Sequence, residues 1–145
     1  MGAFSAMDVA ATGMTAQQLR IDIISQNIAN AHSTRGDGSE VYRRKTVVMA
    51  EKRQTAFGNV LETCMGQAYS GVKVTAIATD MSDLKMVYDP DNPDADENGY
   101  VSYPNVNTVQ EMTDMIDASR SYEANVTAFE AAKAMSTKGL EIMRG

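Results

Sequence analysis

Tryptophan is absent from these 145 residues, and phenylalanine, proline, cysteine and histidine are scarce at three, three, one and one. The single cysteine, Cys64, excludes an internal disulfide framework, and His32 alone cannot complete a zinc site with it. No motif surrounds either residue, so the pair is not read as catalytic. Basic charge is also short: thirteen Lys and Arg stand against nineteen Asp and Glu, a net charge of −6. A general nucleic-acid binder needs a dominant basic surface to release counterions, so that class is excluded. The one basic run, Arg43-Arg44-Lys45 with Lys52-Arg53 beyond it, reads as the solvated face of a strand or turn. No apolar run approaches the length of a membrane span, so no membrane insertion is expected. The first residues lack a basic stretch followed by an unbroken apolar one, so no cleavable leader is expected either. Ala6 stands where a myristoylation pattern needs Ser or Thr. Asn125-Val126-Thr127 matches a glycosylation sequon, but it lies inside a helical pattern and reads as chance. Paired carboxylates, a nucleophile elbow and a phosphate-cradling glycine loop are likewise missing. Nothing here implies an enzyme or a cofactor.

Methionine, by contrast, is abundant at eleven residues, and the hydrophobic fraction of 43% is that of a folded chain. Met suits surfaces that repack against several partners, and it also fills gaps in cores. From Phe4 to Ala31 the strongest apolar residues recur every seven: Met7, Met14, Ile21 and Ile28. That spacing predicts a helix with a near-heptad stripe and no proline to break it. It should end at the turn-rich stretch of residues 31–38.

The C-terminal segment repeats the pattern. Steps of three and four from Met112 meet Met115, Ser119, Tyr122, Val126, Phe129, Lys133, Ser136, Leu140 and Met143. Asn107 or Thr108 is placed to cap this helix, and Glu111 and Asp114 sit in its early turns as the helix dipole prefers. A helix of about 35 residues would be roughly 50 Å long, too long for a compact domain of this size.

The middle is β-like. Val41 to Met49 and Leu84 to Tyr88 read as strands, and Val72 to Thr79 alternates as a half-buried strand should. Residues 50–70 carry no assignment, and Asp89 to Gly99 reads as a loop. The fold class is therefore α+β: an N-terminal helical segment (1–33), a β-rich middle (34–104) and a C-terminal helical segment (105–145). One apolar face on a long helix gains nothing from burial alone in water. Such a chain is built to be buried in something larger: a bundle, an oligomer or a filament.

Two local features compete with that reading. Asp94, Asp96, Asn98 and Gly99 stand at positions 1, 3, 5 and 6 of an EF-hand-like loop, a candidate Ca²⁺ site and hence a Ca²⁺-dependent binding module. Asn105 replaces the bidentate Glu at position 12, and Pro93 and Pro104 disfavour flanking helices. The plainer reading is a tight turn in which Gly99 takes positive φ. The amphipathic ends also suggest a membrane-surface protein, but Arg20 is the only basic residue among positions 1–30, which is poor for anionic lipid. Asn27 and Asn30 read as a C-cap or as amides buried between helices, where an Asn fixes register. Arg120 interrupts a small and apolar stretch, either as a solvated charge or as half of an inter-subunit ion pair.

Ser25-Gln26-Asn27-Ile28-Ala29-Asn30-Ala31, followed by Tyr42-Arg43-Arg44-Lys45, resembles the N-terminal signature of the flagellar rod and hook axial proteins. The segments 92–101, Pro104-Asn105-Val106-Asn107 and Ala118-Ser119-Arg120-Ser121-Tyr122-Glu123-Ala124-Asn125 are similar to those of the proximal rod members of that family. The likeness runs almost end to end and lapses at residues 50–70. The resemblance implies a non-enzymatic subunit of the basal-body rod, with its two terminal helices paired as an antiparallel coiled coil. Its implied partners are other rod proteins, the inner-membrane ring or rod adaptor, and further copies of the chain. It also implies export by the flagellar type III apparatus without a cleaved signal. Another axial component is the close alternative. Assembly would rest on Met7, Met14, Ile21, Asn27, Ile28, Asn30, Met112, Arg120, Tyr122, Val126, Phe129 and Leu140.

Overall fold

The computed structural model describes residues 3–34, 40–52 and 71–144. Cys64, Arg53, Gly58, Gly66 and part of the expected turn after the first helix (residues 35–38) lie outside the described residues. Helix α1 spans Ala3–Ala29, and helix α2 spans Thr108–Arg144. Between them lie strands β1 (Lys45–Glu51), β2 (Val72–Thr79), β3 (Lys85–Tyr88) and β4 (Tyr100–Tyr103). The expected α+β class holds.

Each helix ends for a local reason. After Ala29 the chain tightens into turns: the Ala31 N–H donates to Ile28 O, and the Asn30 amide Nδ2 donates to Gln26 O at 2.8 Å. The Asn30 side chain thus occupies a carbonyl near the helix end, which otherwise would lack a partner. At the start of α2, Asn107 is the cap: its Oδ1 accepts the Val109 N–H at 3.2 Å. The 37 residues of α2 give a rod roughly 55 Å long.

The helices lie side by side. Asn27 bonds Glu111, and Gly13 sits against Asn125. Fourteen residues back along α1 are thus matched by fourteen forward along α2. The seam itself is made of small and polar residues: Ala10 and Ala16 on α1, Ala118 and Ala132 on α2 are buried, with Ile23, Ile24 and Asn27 closing the junction end. A Cβ on Gly13 would stand 2.8 Å from Asn125 Oδ1, so only glycine allows this approach. The expected stripe of Met7, Met14, Ile21 and Ile28 is displaced from this seam; all four are half-buried along its flanks. Interaxial distance follows side-chain size at the contact. Small residues let the axes approach and leave no room for Met or Ile between them.

The strands form two separate antiparallel pairs, β1 with β2 and β3 with β4. In the first, the register slips between Val48 and Met49, leaving Thr75 as an extra residue whose hydroxyl donates to Val48 O. β2 has the expected bounds but not the expected half-buried alternation: apart from Val74 it is exposed throughout. A two-stranded ribbon has no second layer to cover its alternate face. The Thr12 hydroxyl ties this ribbon to α1 by accepting the Val72 N–H. β1 begins four residues later than the sequence suggests, because Arg44 gives its backbone N–H to Asn105 Oδ1 rather than to a ladder. The loop between β3 and β4 turns at Gly99, whose φ of 79° is the expected positive value.

Candidate functional site

The densest interior chemistry lies where the end of α1, the segment entering β1 and the first turns of α2 meet. Asn27, fully buried, projects from the last turns of α1. Its Nδ2 donates to Lys45 O and to Glu111 Oε2, both at 2.8 Å. Its Oδ1 accepts the Tyr42 hydroxyl at 2.9 Å and the Lys45 N–H at 3.0 Å. A side-chain amide has two protons to give and two lone pairs to fill, and all four are used here. Asn27 therefore pins helix, strand and helix in one register.

Glu111 is 1% exposed and carries the second half of the knot. Arg44 Nε reaches Glu111 Oε1 at 2.6 Å, and its terminal nitrogen lies 3.4 Å from Asp114 Oδ2. Arg20 approaches Asp114 from α1 at 3.9 Å. A buried carboxylate is tolerable only when paired and hydrogen-bonded, and Glu111 has both. Asn105 extends the network, holding Arg44 N–H on one side and Ser82 Oγ and Asp80 O on the other. Burial holds the proton on the Tyr42 phenol above its ordinary range, and the Glu111 charge adds to the effect. Asp80 is shifted the other way, below the usual carboxylate range, because the Ser82 backbone N–H and hydroxyl stabilise its charged form.

The basic run therefore needs correcting. Arg44 is not a solvated charge but the cation that neutralises Glu111, and Arg43 donates to Ser82 O. Sequence periodicity gave no sign of this, since Glu111 and Asp114 also fit an ordinary helix start.

The other expected site residues fall into three groups. Tyr122, Val126 and Phe129 flank the seam half-buried, like the four α1 stripe residues. Met112, Arg120 and Leu140 are exposed on α2, and Arg120 makes no ion pair among the described residues. Asn27 lies in the knot and Asn30 at the helix end. In the loop, Asp94 Oδ2 accepts the Thr34 hydroxyl at 2.7 Å, tying the end of α1 to the turn. Asp96 accepts the Gly99 N–H through its backbone carbonyl, and Asn98 is exposed. Among the described residues, no three His, Cys, Asp or Glu side chains converge to hold a metal ion, and no helix is long and apolar enough to cross a membrane. His32 is exposed in the turn after α1.

The outer side of α2 went unread in the sequence. Val109, Met112 and Ile116 are 72%, 55% and 55% exposed at spacings of three and four, one apolar stripe facing away from α1. Met135, Leu140 and Ile142 are exposed further along.

Residues 7–36 match the family described as "Flagella basal body rod protein", and residues 97–142 the family described as "Flagellar basal body rod FlgEFG protein C-terminal". The chain is 46% identical to the flagellar basal-body rod protein FlgC of Bacillus subtilis, over 98% of its own length and 99% of that protein. It is 44% identical to FlgC of Borreliella burgdorferi over the whole of both chains, and 37% identical to FlgC of Salmonella typhimurium over 98% of each.

Proposed function

The chain belongs to the FlgC family of flagellar basal-body rod proteins, and on that premise we propose how it serves as a structural subunit of the rod. α1 and α2 pair as an antiparallel coiled coil, pinned by Asn27 and Glu111 at one end and closed by small residues along its length. The pair stands in the wall of the proximal rod of the basal body, packs on neighbouring subunits and passes torque along its axis. Its partners are other rod proteins, the inner-membrane ring or rod adaptor, and further copies of the chain. Delivery is by the flagellar type III export apparatus. The domain division at residues 33 and 104 then separates two rod-core helices from a β-rich outer segment.

One observation carries this reading: the largest exposed apolar side chains of α2 point away from the helix they pair with. Water exposure of such a stripe is costly unless another protein covers it. Burying it offsets part of the ordering cost of assembly. The half-buried residues Met7, Met14, Ile21, Ile28, Tyr122, Val126 and Phe129 contribute from the flanks, and Arg120 offers a charge for a neighbour.

The test is to place Met112→Asp with Ile116→Asp in a strain lacking its own copy. Helix content of the purified variant should be unchanged, since both positions are exposed, while rod incorporation and motility are lost. A motile strain carrying this variant would contradict the proposal.

A further inference from the structure

The two helices differ in length, 27 residues against 37. With Asn27 opposite Glu111 and Gly13 opposite Asn125, Ala3 falls opposite about residue 135 of α2. The last nine residues of α2 thus run roughly 13 Å past the start of α1. Beyond Ala132 no described side chain of α2 is buried. This overhang is nonetheless apolar on two sides. Ile142 repeats the direction of Met135, seven residues earlier, and Leu140 points well away from both. A helix end that is apolar around its circumference belongs inside a cleft rather than on a surface.

The same chain carries such a cleft elsewhere. A groove of about 880 Å³ runs between α1 and β2, with Met14, Leu19, Val74 and Tyr122 among its lining. Its walls bear opposite charges: Lys52 and Lys73 on the strand side and Asp22 on the helix side. The overhang bears one of each, Lys138 and Glu141, paired to each other at 2.8 Å while both remain exposed. The groove is also continuous with the existing helix seam, since Ala16 and Tyr122 line it.

From these complementary surfaces we infer that the overhang of one copy, residues 136–144, inserts into the α1–β2 groove of the next. Leu140 and Ile142 fill the apolar floor, Glu141 meets Lys52 and Lys73, and Lys138 meets Asp22. The groove lies level with residues around 122 of α2, about eighteen residues from the centre of the overhang. A shift of roughly 27 Å along the helix axis therefore brings one to the other. Donor and acceptor surfaces are different patches of one molecule, so the contact is head-to-tail and propagates without closing. The inference rests on the assembly reading above and specifies its geometry.

The experiment uses the full chain carrying Cys64→Ser, in a strain lacking its own copy, with basal bodies isolated under mild oxidation. Leu140→Cys and Val74→Cys on separately expressed copies should give a mixed disulfide dimer. Both on one chain should give a ladder. A control pair of Leu140→Cys with Glu130→Cys should give neither. Glu141→Lys should reduce the yield, and Lys73→Glu in the other copy should restore it. Assembled basal bodies without the Leu140–Val74 crosslink, or a Leu140→Cys dimer between like copies, would overturn this contact and leave the assembly reading standing. Failure of the Cys64→Ser chain to enter basal bodies at all, when its fold is intact, would overturn both.

Discussion

Asn27 and Glu111 are 84 residues apart in the chain and meet at 2.8 Å, each almost wholly removed from water. That bond joins the end of the first helix to the start of the last. It also fixes which residue of α1 faces which residue of α2 along the rest of the pair.

Asn27→Ala should be severely destabilising. It leaves the buried Glu111 carboxylate short of a donor and the Lys45 N–H, Lys45 O and Tyr42 hydroxyl without their partner. A loss of about 3 kcal/mol is expected, from the cost of orphaned buried polar groups. Urea unfolding of the purified chain measures it, and a loss below about 1 kcal/mol would mean that the knot is not holding the pair together.

Arg44 and Glu111 should be strongly coupled. Arg44→Met alone leaves a buried anion without its main cation, and Glu111→Gln alone leaves Arg44 beside Asp114 only. Each single change is expected to cost more than its share of the double change, with a coupling of about 2 kcal/mol. A double-mutant cycle in urea reads this directly, and strict additivity would show the pair to be solvent-screened.

Stability should fall in alkali, and Tyr42 should account for part of the fall. Its phenol holds its proton more tightly in the folded chain than in the unfolded one. Below about pH 10 both states keep the proton and the contribution is complete. As pH rises further the unfolded chain releases it first, so stability declines until the folded phenol ionises. Tyr42→Phe should be less stable near neutrality, through loss of the bond to Asn27, yet decline less steeply between about pH 9 and 11. Equal slopes would contradict the assignment.

Gly13→Ala tests the closeness of the seam. Alanine normally improves a helix interior by about 1 kcal/mol over glycine. Here its Cβ would press on the Asn125 amide, so the change should destabilise. In an Asn125→Ala background the obstruction is gone and the same change should stabilise by about 0.5–1 kcal/mol. Thermal unfolding of the four proteins shows whether the sign reverses.

Much of this frame is legible in the sequence. The two helices, the Asn107 cap, the bounds of β2 and the turn at Gly99 follow from local rules of spacing, capping and backbone freedom, and those rules act within a few residues. The seam does not follow, because Ala10, Ala16, Ala118 and Ala132 carry little hydrophobic weight beside Met and Ile. The apolar period pointed to the flanks instead. Asn27 reads as a register-setting amide, but its partner cannot be found 84 residues away by periodicity. Glu111 and Arg44 look like surface charges until the fold brings them together. The half-buried alternation of β2 fails because alternation alone does not say whether a second layer exists to cover one face.

A density map of an isolated basal body, with this chain traced in it, tests the central claim most directly. The account predicts Val109, Met112 and Ile116 buried against a neighbouring subunit, with Asn27 still bonded to Glu111 inside each copy. A map in which that stripe faces solvent, or in which the two helices separate, would contradict it.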